Sequence, residues 1–156
     1  MARCGERKAV TASRQHRNRR NPPKPSDTNL PNEPTPRIAV LDDNGDIRLL
    51  LRAALKRDYI VHDFDNAAEL LEFLEREPCD LIVSDLSLPN VDGFDFISAL
   101  KKNSRLASIP VVAFTAYASD EIRKRALAEG FVAYMVKTAD TDQLLSVIAE
   151  NLAKLS

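Results

Sequence analysis

Asp42-Asp43, Asp85, Thr115 and Lys137 are the side chains of this sequence whose types could do chemistry together. Each ends a short apolar run. Ile38 to Leu41 leads to Asp42-Asp43, Leu81 to Ser84 to Asp85, Ile109 to Phe114 to Thr115, and Val132 to Val136 to Lys137. In an open parallel α/β sheet, ligands bind in the crevice outside the carboxyl ends of the strands. If the runs share one sheet with strands 1 and 3 adjacent, three carboxylates meet there. Such carboxylates repel, and one takes up a proton unless a cation neutralises them. An oxygen-only donor set at an open site suits magnesium, which keeps several waters and accepts phosphate oxygens. A divalent ion beside a carboxylate, a hydroxyl and an ammonium is an arrangement for phosphoryl transfer. Lys137 supplies a point charge for phosphate. An aspartate can itself be the nucleophile and become an acyl phosphate. Taken singly, the Asp pair reads as a helix cap, Thr115 as a turn former and Lys137 as a surface lysine. Their joint placement at successive strand ends carries the argument.

The elements that must position these groups are legible from periodicity. Leu81 to Val83 is apolar without alternation, as in a strand covered on both faces. Ile47, Leu50, Leu51, Ala54 and Leu55 recur at helical spacing after a cap at Asp43 or Asn44. Tyr59 to His62 reads as a shorter strand at an edge. Asp65 or Asn66 caps a helix that turns Leu70, Leu71 and Leu74 inward and stops at Pro78. Asp92-Gly93 opens a helix over Phe94 to Lys102 that buries Phe94, Ile97 and Leu100. Ser119 caps a helix through Glu129, with Gly130 where a left-handed C-terminal glycine belongs. Asp140 or Thr141 caps the last helix, with Leu144, Leu145, Ile148 and Leu152 in one stripe. Strand then helix, five times over, predicts an α/β sandwich with a five-stranded parallel sheet, doubly wound with right-handed crossovers.

Composition excludes several classes. The two cysteines, Cys4 and Cys79, stand far apart in no metal-ligand spacing, so neither a disulfide framework nor a thiolate metal site is expected. No apolar run is long enough to span a membrane, and the basic N-terminus lacks the apolar core of a secretory signal. A cytoplasmic location follows as the expectation. Residues 1–36 hold eight basic against three acidic residues and six prolines, whereas the remainder holds 14 basic against 20 acidic. With few large apolar residues, that basic, Pro-rich segment reads as a disordered tail. It has the charge of a nucleic-acid arm, but no aromatic residue interleaves its arginines, so nucleic acid is not the expected partner.

Residues 37–156 resemble the receiver domain of bacterial response regulators, the phosphoacceptor half of two-component signalling. The matching pieces are Val40-Leu41-Asp42-Asp43, Asp85 followed by Leu88-Pro89 and Asp92-Gly93-Phe94, Phe114-Thr115-Ala116, and Tyr134-Met135-Val136-Lys137. The resemblance implies a flavodoxin-like (βα)5 fold and a stoichiometric phosphoacceptor rather than a turnover enzyme. It implies that Asp85 is phosphorylated by a sensor histidine kinase or a histidine phosphotransfer protein. It implies magnesium on Asp43, Asp85 and the backbone carbonyl of Ser87, with Asp42 helping through water. Thr115 is implied to contact the phosphoryl group and Lys137 to pair with it. Tyr134 is implied to be an aromatic switch that turns inward as Thr115 moves. That motion would alter the surface of helix 4, strand 5 and helix 5 for a downstream protein target or a phosphorylation-dependent homodimer.

Two departures from the family pattern stand out. Asn44 replaces the usual acidic residue after the Asp pair, and Thr138 replaces the usual cis-proline after the lysine. A non-proline cis bond costs about 2.5–4 kcal/mol, so a trans bond and an altered loop are expected. The resemblance implies that Ser87 and Tyr117 occupy positions that in this family influence attack of water on the acyl phosphate, and bulky Tyr117 then predicts slow self-dephosphorylation. The last helix runs to the end of the chain, giving the expectation of a single-domain regulator. Arg123, Lys124 and Arg125 offer a partner a basic run, though an ordinary solvated face is the better explanation of them. Two other readings remain. A haloacid-dehalogenase-like phosphatase wants Asp-x-Asp after its first strand, which Leu41-Asp42-Asp43-Asn44 lacks. A receiver-like module working without phosphate is compatible with Asn44 and Thr138.

Overall fold

The computed structural model describes residues 34–155. The expectations placed on residues 1–33 lie outside the described residues. Five strands alternate with five helices: β1 (Arg37–Leu41), α1 (Gly45–Leu55), β2 (Ile60–Phe64), α2 (Ala67–Arg76), β3 (Leu81–Ser84), α3 (Gly93–Lys102), β4 (Val111–Thr115), α4 (Asp120–Glu129), β5 (Ala133–Val136) and α5 (Thr141–Ala153). All strand pairings are parallel, in the order β2-β1-β3-β4-β5. The predicted doubly wound sheet is the observed one. The strand order reverses between β1 and β3, and that is where such a sheet opens a crevice at its carboxyl end.

The period-2 alternation of side chains divides the core into two layers. Ile38 and Val40 of β1, with Val83, Val112 and Phe114, face Leu51 and Leu55 of α1 and Leu144 and Ile148 of α5. Ala39 and Leu41, with Ile82, Val111 and Ala113, face Leu70 and Leu74 of α2, Phe96, Ile97 and Leu100 of α3, and Ala126 of α4. The three central strands are covered on both faces, which is why they read as unbroken apolar runs. Phe96 is fully buried beside the predicted Phe94 and Ile97, so α3 turns more of its circumference inward than a narrow stripe suggests.

Caps resolve in favour of one candidate each. Asn44 accepts the amides of Asp46 and Ile47, Asn66 that of Glu69, Asp92 that of Asp95, Ser119 that of Ile122, and Asp140 that of Gln143. Gly130 takes φ 122°, the positive region predicted for it. Strand limits move by a residue or two. β2 begins at Ile60 and runs to Phe64, later than Tyr59 to His62, because the Tyr59 amide still bonds to the carbonyl of Leu55 at the end of α1. β4 begins at Val111 rather than Ile109, since the Ile109 amide closes a turn on Leu106. β5 begins at Ala133 rather than Val132. Leu71, Leu145 and Leu152 pack at the margin of the core, half-buried rather than inside it. His62 stacks on Phe73 with ring centroids 4.8 Å apart, a structural place. Burial pushes the Cys79 thiol up to about 11, so it is not a nucleophile at neutral pH.

Gly93 fixes how closely α3 approaches the loop after β3. Its amide donates to the Leu86 carbonyl at 2.8 Å. A Cβ there would stand 2.6 Å from the Asp85 carbonyl oxygen and 2.6 Å from Leu86 Cα. Both neighbours are backbone and cannot rotate away. Gly93→Ala should therefore cost about 1–3 kcal/mol of stability through forced backbone displacement, read as a lower urea midpoint. An unchanged midpoint would show that the approach is not constrained.

Candidate functional site

Backbone hydrogen bonds bring the acidic residues together before any side chain is considered. The Asp42 amide donates to the Phe64 carbonyl at 3.1 Å, and the Asp85 amide donates to the Leu41 carbonyl at 2.9 Å. These bonds prolong the β1–β2 and β1–β3 ladders by one step. Asp42, Asp43 and Asp85 each offer a carboxylate oxygen, and these oxygens lie within 4.8 Å of one another. Asp42 and Asp85 are buried and Asp43 is exposed. Because Asn44 takes the capping role, the Asp43 carboxylate is not spent on the helix.

Lys137 completes the cluster. Its amide donates to the Thr115 carbonyl at 2.7 Å, which seats it over the end of β4. From there its ammonium reaches Asp42 Oδ2 at 2.8 Å and Asp85 Oδ2 at 2.9 Å. The remaining oxygens are also engaged. Asp42 Oδ1 accepts the Asn44 amide at 2.9 Å, and Asp85 Oδ1 accepts the Ser87 amide at 3.2 Å. Thr115 is buried, and its Oγ1 accepts the Tyr117 amide at 3.4 Å, which leaves its hydroxyl proton for another acceptor. The Tyr134 hydroxyl donates to the Tyr117 carbonyl, tying half-buried Tyr134 to the β4–α4 loop. No cis peptide bond occurs among the described residues, so Lys137–Thr138 is trans, as the missing proline predicts. The trans bond still leaves Lys137 on both carboxylates.

Electrostatics follow from this sharing. Burial pushes the Asp42 carboxyl above its ordinary value of 3.8, and the hydrogen bonds from Lys137 and the Asn44 amide recover only part of the cost. Burial pulls the Lys137 ammonium down, but its bonds and proximity to Asp42 and Asp85 outweigh that and leave it above 10.5. Both shifts are upward, so ionisation is disfavoured at Asp42, where burial dominates, and favoured at Lys137, which bonds to two carboxylates. Lys137 gains from both partners, and Asp42 receives half a counter-charge. Three carboxylates and one ammonium leave an excess of two negative charges. Oxygen-only donors with one exposed member match a hydrated magnesium ion, so the residues present fit that group.

Sequence comparison agrees with the geometry. The family model of the response regulator receiver domain matches residues 38–149. The chain belongs to this family. An uncharacterised 14.6 kDa protein of Leptolyngbya boryana is 40% identical over 72% of this chain and 87% of its own length. Response regulator Rre1 of Synechocystis is 31% identical over 74% of this chain, which spans only 45% of that regulator. Sensor kinases also stand among the matched relatives. In fold, the chain is similar to the chemotaxis response regulator CheY4 of Vibrio cholerae, with a TM-score of 0.71, 24% identity and coverage of 76% of this chain and 99% of that one. Receiver domains are in general phosphoacceptor signalling modules. No described helix is long and apolar enough to cross a membrane.

Three features of the site escaped the sequence. Arg48 donates from its η1 nitrogen to the Asp42 carbonyl at 2.9 Å and from Nε to Asp63 at 3.0 Å. Asp63 lies beyond His62, the end expected of this strand from sequence, and its place inside β2 appears only in the structure. The close approach of Gly93 was signalled only by the Asp-Gly pair. Arg125 lies 3.8 Å over the Phe94 ring and pairs with Glu129 at 2.6 Å, so the basic run on α4 is partly engaged within the fold.

The pH dependence of Asp42 has a defined sign. A carboxyl raised in the folded state holds its proton more tightly than in the unfolded chain. Its ionisation therefore costs stability, progressively as pH rises from 3.8 through the folded value. In metal-free protein, Asp42→Asn should raise the urea midpoint at pH 7, and the gain should vanish below pH 3.8. A lower midpoint at pH 7 would show that the Lys137 pair outweighs burial.

Proposed function

We propose that this protein accepts a phosphoryl group on Asp85 from the phosphohistidine of a sensor histidine kinase or a histidine phosphotransfer protein. The observation that carries the reading is the set of three carboxylates and a shared lysine in the crevice between β1 and β3. An Asp85 carboxylate oxygen attacks the phosphorus; the new O–P bond forms as the P–N bond breaks, and the imidazole leaves. Asp42, Asp43, Asp85 and the Ser87 carbonyl would hold Mg2+, which neutralises charge on the phosphoryl oxygens when bound. Lys137, already 2.9 Å from Asp85, pairs with an oxygen of the acyl phosphate. The Thr115 hydroxyl, with its proton free, donates to another.

In this reading the protein is a stoichiometric acceptor that assists its own phosphorylation and slow dephosphorylation. Thr115 and Tyr134 carry the change to the α4–β5–α5 surface through the Tyr134–Tyr117 contact. The surface then meets a downstream protein or a second phosphorylated copy. Action as a single-domain regulator in the cytoplasm is part of the proposal. Its support is the 14.6 kDa relative matched over most of its length.

Intact mass after incubation with Mg2+ and a small acyl phosphate should show one phosphoryl addition on the wild type and none on Asp85→Asn. Failure with both the small donor and a phosphorylated kinase would favour a module that works without phosphate. Tyr117 is 46% exposed, and its amide is tied to Thr115 at the end of β4, the strand beside the one that leads to Asp85; in this reading its bulk shields the acyl phosphate from water. Tyr117→Ala should therefore shorten the lifetime of the phosphorylated protein. An unchanged decay rate would remove the shielding role.

A further inference from the structure

We infer that Arg48, anchored by Asp63, is a positioning residue for the acidic site, fixing the backbone of Asp42 rather than touching the reacting groups. This deepens the phosphoacceptor reading and rests on it. Arg48 lies on the first turns of α1, half-buried, 23% exposed in its side chain. Its guanidinium makes two bonds in different directions. The η1 nitrogen donates to the Asp42 carbonyl at 2.9 Å, and Nε donates to Asp63 Oδ2 at 3.0 Å. Asp63 is the next-to-last residue of β2, opposite Val40 in the parallel register. Its other oxygen accepts from Arg52 at 2.7 Å, one helical turn further along α1. A carboxylate at the end of β2 thus orients an arginine, and that arginine holds the carbonyl of a buried site aspartate.

The need for such a brace follows from the charges. Asp42 is 2% exposed and faces a like charge on Asp85 with half an ammonium to itself. Repulsion favours rotating the β1–α1 loop outward, and that loop also carries Asp43. The Asp42 amide is held by the Phe64 carbonyl and its side chain by the Asn44 amide and Lys137. Arg48 holds the remaining polar group of the residue, its carbonyl. A planar guanidinium can serve two acceptors in fixed directions, which an ammonium on a flexible stem does poorly. Groups that orient metal ligands from behind typically alter metal affinity by about tenfold or more.

Arg52 provides the control, because it shares Asp63 without reaching Asp42. Removing either arginine deletes one positive charge near an acidic cluster, and charge alone should tighten Mg2+ binding slightly. Loss of positioning should weaken it. The experiment measures Mg2+ affinity by calorimetry and, in metal-free protein, hydrogen exchange of the Asn44 amide that donates to Asp42. Arg48→Gln should bind Mg2+ about tenfold more weakly and exchange the Asn44 amide faster. Arg52→Gln should keep both at wild-type values or bind slightly tighter. Arg48→Lys, which restores charge without the fork, should resemble Arg48→Gln. Asp63→Asn, which leaves Arg48 in place without its anchor, should fall between and tests the brace if Arg48 variants fold poorly.

Equal behaviour of the Arg48 and Arg52 variants, or full rescue by lysine, would overturn the inference. Absence of Mg2+ binding by the wild type would instead overturn the functional reading, and the metal-free exchange measurement would then judge Arg48 alone.

Discussion

Two buried carboxylates on adjacent strands, sharing one ammonium, are the constraint around which this molecule is arranged. Asp42 and Asp85 are brought together by the β1–β3 ladder, which extends one bond beyond the strands themselves. At an effective dielectric near 20, unit charges about 4 Å apart interact by about 4 kcal/mol, so neither repulsion nor attraction here is negligible against the marginal stability of a small domain. Lys137 offsets the repulsion by standing between them. The Asp42 carboxyl is nonetheless displaced upward, chiefly by its burial and in smaller part by the Asp85 charge, which the bonds from Lys137 and the Asn44 amide do not fully offset. The unbalanced charge makes the crevice receptive to a divalent cation.

The rest of the scaffold supplies rigidity where that repulsion would otherwise open the loops. Asn44 caps α1 with a neutral side chain and donates its own amide to Asp42, so no fourth carboxylate is added. Ser87 donates to Asp85 from the loop after β3, and Gly93 lets α3 close over the same loop with its Cα side against backbone. Arg48 and Asp63 brace the opposite side. A departure from the family pattern at Thr138 is accommodated because Lys137 is fixed by its own amide on Thr115, one residue earlier than the altered bond.

The fold was legible because the sheet is buried on both faces. Runs such as Ile38 to Leu41 and Leu81 to Ser84 leave no choice of face, and the caps between them are strong local signals. The site was legible for a related reason: its side chains come immediately after those runs, so strand ends and chemistry coincide. What stayed hidden depends on pairing between distant elements. From sequence, β2 is expected at Tyr59 to His62, yet Tyr59 closes α1 and Asp63 is a strand residue satisfied by two arginines. Periodicity cannot reveal that a charge inside a strand has partners fifteen and eleven residues away. Arg125 stands in a charge run in the sequence, and its face on Phe94 exists only once α3 and α4 are packed.

That packing bears on how a change at Asp85 could be felt elsewhere. The carbonyl of Asp85 abuts Gly93, and the next residue, Phe94, lies under Arg125 of α4 and edge-on to Phe131 before β5, with centroids 6.2 Å apart. A second set of contacts runs from Thr115 through the Tyr117 backbone to the Tyr134 hydroxyl. Both lead to the α4–β5 side of the sheet, where Leu127 and Val132 are exposed. They differ in kind. The Thr115 contacts are hydrogen bonds at the mouth of the crevice, and an added acceptor on Asp85 could compete for the threonine hydroxyl. The Phe94 contacts are packing against a backbone that cannot yield without moving α3. Signalling needs an element with two discrete arrangements, and only the first set has a polar group free to change partners. If Asp85 is phosphorylated as proposed, the loop from Thr115 to Ser119 is, of these two sets of described contacts, the one built to move, with the α3–α4 stack as the fixed wall.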